Sequence, residues 1–163
     1  MTQTLAATRQ FRLVRPDDQP LGWFCGHCAE RFDQRGSAPI PRVCPSCSLG
    51  MVLQAAADVI PDASSPFLIV DSSLTVQALS AQAERTLGIS EERAVNRHVT
   101  ELLIPGDAEP SAAGSLAGAI TMAAAGEDPG ERVAVRPSNT FGIRMFARIA
   151  ACGPPRAALI TLD

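Results

Sequence analysis

The chain has 163 residues, 46% hydrophobic and 19% charged, with a net charge of −3. That composition suits one globular domain with a small appendage, and neither half of the chain is a polyelectrolyte. All 14 basic residues are arginine, and they do not form the clustered basic face that tight non-specific nucleic-acid binding requires. No apolar run approaches the ~18 residues of a membrane-spanning helix. Residues 1–10 lack the charged start and apolar stretch of a secretory leader. A cytoplasmic location with no membrane partner is the expectation, and there regularly spaced cysteines bind metal more often than they pair as disulfides.

In chain order, Gln10-Phe11-Arg12-Leu13-Val14-Arg15 alternates like a strand, and Pro16-Asp17-Asp18-Gln19-Pro20 reads as a turn. Leu21-Gly22-Trp23-Phe24 then leads into Cys25-Gly26-His27-Cys28, and Arg42-Val43 leads into Cys44-Pro45-Ser46-Cys47. The spacing C-x2-C-x15-C-x2-C is that of a zinc site. Two cysteines separated by two residues present both sulfurs to one ion, and two such turns complete a tetrahedron of thiolates. Such a site has no open position, so it is structural and not hydrolytic. Cys25, Cys28, Cys44 and Cys47 are the expected ligands. A segment this short buries too little apolar area to hold itself together, so metal supplies the stability. The flanks resemble a zinc ribbon. The competing reading is a pair of redox dithiols. His27 is expected to be partly exposed and bonded to a backbone carbonyl. Trp23 or Phe24 is expected to cover the ribbon's small core.

Gln54 to Ser65 reads as a short helical turn followed by a Pro/Ser break. The organisation is therefore 1–53 ribbon, 54–65 linker and 66–163 second domain. In that domain, Phe67-Leu68-Ile69-Val70 and Leu74-Thr75-Val76-Gln77-Ala78-Leu79 flank the turn Asp71-Ser72-Ser73 as a hairpin. Ser80 is placed to cap a helix over Ala81–Leu87 that ends at Gly88. Ser90 is placed to cap Glu91–Ala94. Val95–Leu103 reads as another short helix, and Ser111–Ala125 as a longer one. In the latter, Leu116, Ala119, Ile120 and Ala123 share a face. Strands are expected at 131–136, 143–151 and 157–162. In the second of these, Met145, Ala147, Ile149 and Ala151 face inward and Arg144, Phe146, Arg148 and Cys152 outward.

With Phe67-Leu68-Ile69-Val70-Asp71, then Ser80-Ala81-Gln82-Ala83-Glu84-Arg85-Thr86-Leu87-Gly88-Ile89-Ser90-Glu91-Glu92, then Arg97 to Leu103, this part resembles a PAS domain. It departs from the family pattern at Ser80, where Asn is frequent, and at Gln82, where Ala is frequent. The resemblance implies an α+β fold, a five-stranded antiparallel sheet with helices on one face. It also implies ligand binding between sheet and helices, or a homodimer. A flavin domain of the LOV type would need a cysteine in the helical segment after Gly88, and none lies there. A haem-binding member would need a histidine on the long helix, and it has none. His98 is expected to cap or face solvent. Cys152 reads as an ordinary thiol.

The sequence carries no paired histidine and nucleophile, no phosphate loop and no open metal site, so a non-catalytic protein is the expectation. The chain ends directly after its last strand, and any output is expected to pass through a partner, through dimerisation or through the ribbon. The main reading is a sensor or adaptor. Its PAS-like domain would dimerise or bind an unidentified small molecule, and its ribbon would contact a protein partner. An alternative is a transcription-associated protein whose ribbon contacts nucleic acid or RNA polymerase. A third is a redox switch that releases zinc on thiol oxidation.

Overall fold

The computed structural model describes residues 19–33, 39–106, 115–130 and 132–163. The strand expected at 10–15 lies outside them, as do residues 111–114 of the region read as the long helix. The described chain forms nine strands: β1 Leu21–Cys25, β2 Arg31–Phe32, β3 Val52–Ala56, β4 Phe67–Val70, β5 Val76–Leu79, β6 Leu103–Pro105, β7 Val133–Pro137, β8 Met145–Gly153 and β9 Ala157–Leu162. Three helices accompany them: α1 Ala81–Leu87, α2 Glu91–Ala94 and α3 Leu116–Ala125. Among the described residues, no helix is long and apolar enough to cross a membrane.

The hairpin β4–β5, the helices α1 and α2, and the strands β7 to β9 fall where the sequence places them. Local chemistry explains why. Asp71 Oδ1 accepts hydrogen bonds from the amides of Ser73 and Thr75, at 2.8 and 3.0 Å, and so shapes the hairpin turn. Ser80 is buried at the start of α1. Its hydroxyl accepts from the amides of both Ala83 (3.1 Å) and Phe67 (3.0 Å), so one oxygen caps the helix and ties it to β4. Gly88 ends α1 with φ +64°, the left-handed conformation that glycine adopts without steric cost. Ser90 occupies the cap position of α2, but its side chain makes no capping bond there. Glu84 Oε1 instead accepts from the Glu91 amide at 2.6 Å.

Two expectations are corrected. Val95–Leu103 is not a helix. Only Val99–Glu101 forms a 3-10 turn, capped by His98 and Glu101, after which Leu103–Pro105 becomes β6. The pairing of β6 with β7, Leu103 opposite Pro137 and Pro105 opposite Val135, decides that conformation. Residues 66–163 therefore contribute six strands, not five. The stretch Gln54-Ala55-Ala56 is likewise strand, not helical turn. Its alanines favour a helix intrinsically, but register opposite Leu21, Gly22 and Trp23 of β1 overrides that preference.

All nine strands belong to one antiparallel sheet with the main order β2-β1-β3-β8-β9-β4-β5, and with β7 and β6 continuing from the other part of β8's free edge. The strands around the cysteines and those of the C-terminal part meet at β3 and β8, where Ala55 lies opposite Cys152. The result is three layers. Helices cover one face of the C-terminal sheet, burying Leu68, Val70, Ile149 and Ile160 against Leu87, Leu116 and Ile120. The other face, with Phe67, Ile69, Ala78 and Leu159, packs against Phe24 of β1, Leu53 of β3 and Ile60. Both β4 and β9 are thus nearly continuous apolar runs, because each is covered on both faces.

Candidate metal centre

Strand alternation in β1 divides its side chains between two tasks. Trp23 and Cys25 point into a small cluster with Cys44, Val52 and Phe32. Phe24 points the other way and meets Phe67 edge-on, with ring centroids 6.2 Å apart. One of the two rings, Trp23, therefore packs on the cysteine cluster, while the other, Phe24, packs on Phe67 of β4. Gly22 lies on the Phe24 side, where a methyl group would come within 2.7 Å of the Ile60 side chain.

The two Cys-x-x-Cys segments form matching knuckles. The Ala29 amide donates to the Cys25 carbonyl and the Ser48 amide to the Cys44 carbonyl, at 3.2 and 2.9 Å. The residue after each knuckle, Ala29 or Ser48, has positive φ, +62° and +58°. These turns gather the sulfurs of Cys25, Cys28, Cys44 and Cys47 within 4.8 Å of one another. Cys25 Sγ lies 3.6 Å from Cys47 Sγ, and Cys28 Sγ lies 3.7 Å from Cys44 Sγ. These separations are far beyond a disulfide bond of about 2.05 Å. All four thiols are free, and the arrangement can hold one metal ion. The sequence-predicted ligands are therefore the residues that the fold brings together.

Backbone donors already point at the sulfurs. His27 and Cys28 direct their amides to Cys25 Sγ at 3.4 and 3.5 Å, and Gly50 directs its amide to Cys47 Sγ at 3.4 Å. Gly50 also has a steric role that the sequence did not announce: a methyl group there would collide with Cys25 Sγ and crowd His27. Burial raises the Cys25 and Cys28 thiols above their ordinary range. Burial acts in the same direction at Cys47, but the Gly50 and Leu49 amides and the thiols of Cys25 and Cys28 outweigh it and bring Cys47 down to about 6. Cys152, buried beneath the ribbon, is pushed up to about 12.

Those opposite shifts make a chemical prediction. In metal-free protein at pH 7, iodoacetamide is expected to alkylate Cys47 well before Cys152, because the thiolate is the nucleophile. The Cys47 rate should fall as pH drops below about 6. Peptide mass spectrometry over a time course reads the order, and earlier labelling of Cys152 would contradict it.

His27 is not placed among the four sulfurs. Its Nδ1 lies 3.1 Å from the Leu79 carbonyl, the kind of backbone partner expected of it. Its second partner, Glu91 Oε2, also at 3.1 Å, left no mark in the residue pattern. His98 caps the 3-10 turn and is exposed. In β8, Phe146 and Arg148 are exposed as expected, with Arg144 stacked 5.2 Å from the Phe146 ring centre. Cys152 is outward with respect to the helices but is buried by the ribbon-side cluster.

The space between sheet and helices, one of the places where the PAS resemblance implies ligand binding, holds the buried apolar cluster of Leu68, Leu79, Leu103 and Ile120. A groove of about 970 Å³ lies instead beside β8, bounded by Gln54 and Ala56 of β3, the end of α3, Arg148 and Arg156.

No family model matches the chain, and no curated protein matches it. Among solved structures, the chain is similar to the PAS domain of nitrogen regulation protein NR(II) from Vibrio parahaemolyticus. The identity is 14% and the TM-score 0.43, over 61% of this chain and 88% of that one.

Proposed function

We propose that this is a non-catalytic sensing or adaptor protein, in which a zinc ribbon is built onto a PAS-like domain. The observation that carries the reading is the closed set of four thiols. A tetrahedron with Zn–S bonds of about 2.3 Å has edges of about 3.8 Å. The Cys25–Cys47 and Cys28–Cys44 separations of 3.6 and 3.7 Å suit it. With four protein ligands the ion has no position for water or substrate, so its work is structural. Support for the PAS-like part comes from its order of two strands, helices and three long strands, with helices on one face of an antiparallel sheet.

The ribbon is proposed to be a contact surface for a protein partner. Val43 and Leu49 stand 55% and 70% exposed beside the ligands Cys44 and Cys47, so the outer knuckle offers apolar side chains. The same surface serves the second reading, a transcription-associated protein docking on RNA polymerase, better than it serves direct phosphate contact. A homodimer, if formed through the sheet, would use the part left uncovered by the ribbon, around Phe146 and Arg144. Ligand binding would use the β8 groove or an opening of the helix-side core.

Native mass spectrometry of the purified full chain tests the reading. One zinc per chain, absent from Cys44→Ser, is expected. Metal-free protein with intact thiols would overturn the zinc assignment. An additional bound mass favours ligand sensing, and a clean dimer favours an adaptor role.

A further inference from the structure

The first metal knuckle is also the point at which the ribbon grips the end of β5 and the first residues of α1 and α2. His27 lies between the ligands Cys25 and Cys28, and three of its groups are committed. Its amide points to Cys25 Sγ at 3.4 Å. Its carbonyl accepts from the amide of Ala81, the first residue of α1, at 3.1 Å. Its ring Nδ1 reaches the carbonyl of Leu79, at the end of β5, and the carboxylate of Glu91, at the start of α2. Both of these partners are acceptors, so Nδ1 carries the proton. Glu91 closes the loop, since its other oxygen accepts from the Leu79 amide at 3.0 Å. Glu91 is in turn held from α1, where Glu84 Oε1 accepts its amide. The side chains of His27 and Glu91 are only 14% and 23% exposed, so these bonds are largely shielded from competing water.

From this geometry we propose that metal occupancy of the ribbon and the order of α1–α2 form one coupled equilibrium, transmitted by His27 and Glu91 as positioning residues. The proposal rests on the metal reading above and adds a direction of communication to it. Metal fixes Cys25 and Cys28, and thereby the backbone and ring of His27 between them. A fixed His27 holds the end of β5, the first turn of α1 and the first residue of α2. These helices carry Ala83, Leu87 and Ala94 into the helix-side core. A ligand or partner that shifts α1–α2 must then change metal affinity, and metal must change the response of α1–α2 by the same factor, because coupling between two sites is reciprocal.

The test uses the full chain and zinc alone. Zinc affinity is measured by competition with a chromophoric chelator for the wild type, Glu91→Ala, Glu91→Gln and a control, Glu92→Ala, at an exposed neighbour in α2. Hydrogen exchange of residues 81–94 is followed with and without zinc. Glu91→Ala is expected to weaken zinc binding by about 5- to 150-fold, the usual span of a coupling between sites, although Glu91 is not a ligand. Glu91→Gln, which retains an acceptor for Leu79 and guards against failure to fold, should lie between it and wild type. Glu92→Ala should match wild type, and zinc should slow exchange across 81–94. Zinc bound by the wild type but held equally well by both Glu91 variants, with exchange of 81–94 unchanged by metal, would overturn the coupling and leave the metal site standing. No zinc on the wild type would overturn both.

Discussion

Cys44→Ser, or removal of zinc by a strong chelator, is expected to destabilise the C-terminal domain as well as the ribbon. Structural zinc contributes on the order of 10 kcal/mol or more in small peptides, comparable to the whole stability of a typical domain, about 5–15 kcal/mol. The ribbon's own apolar cluster is small, centred on Cys25, Cys44 and Val52 with Trp23 and Phe32 at its edge. Without metal it cannot keep Phe24 and Leu53 in place. Their departure would expose Phe67, Ile69 and Leu159, all essentially inaccessible in the intact fold, and would remove the pairing of β3 with β8. At roughly 2–4 °C per kcal/mol for a chain of this size, the thermal midpoint should fall by more than ~10 °C. Binding of a hydrophobic dye should rise with it. Calorimetry before and after chelation reads both domains at once. A C-terminal transition unmoved by chelation would show that the sheet is stable without its outer layer.

The second large effect is expected at Phe24. Phe24→Ala should cost about 3–5 kcal/mol in denaturant unfolding, the usual range for truncating a buried phenyl ring. The ring is fully buried and pairs with Phe67 across the two units, so the cavity lies at their junction. Phe24 projects from the opposite side of β1 to Cys25, so the variant should still bind one zinc per chain. Loss of stability with metal stoichiometry retained is the expected pattern. A cost below about 1 kcal/mol would mean that the ribbon is not seated on Phe67. Loss of metal would mean that the ring supports the ligand cluster.

Features set by neighbours along the chain could be read from the residues alone. The cysteine spacing picked out the four thiols that come together, because a knuckle is closed by bonds only a few residues apart, such as Ala29 to Cys25 and Ser48 to Cys44. The hairpin at Asp71, the cap at Ser80 and the stop at Gly88 were legible for the same reason, as was the buried face of α3 through Leu116, Ala119, Ile120 and Ala123. Tertiary structure decided whatever depended on a distant partner. Gln54–Ala56 became strand because β1 lies beside it, and Leu103–Pro105 did so because β7 does. Gly50 gave no signal of its own, since the sulfur it accommodates belongs to a residue in the other knuckle. The same holds for the outer face of the sheet. The run Phe67-Leu68-Ile69-Val70 is apolar on both sides, a sign of burial on both faces, but only the fold shows that Phe24, Leu53 and Ile60 supply the second cover. His27 is the clearest case. Its place between two ligands could be read directly, whereas Glu91 reaches it only after β5, α1 and α2 have packed, because hydrogen bonds between remote side chains leave no periodicity in the chain.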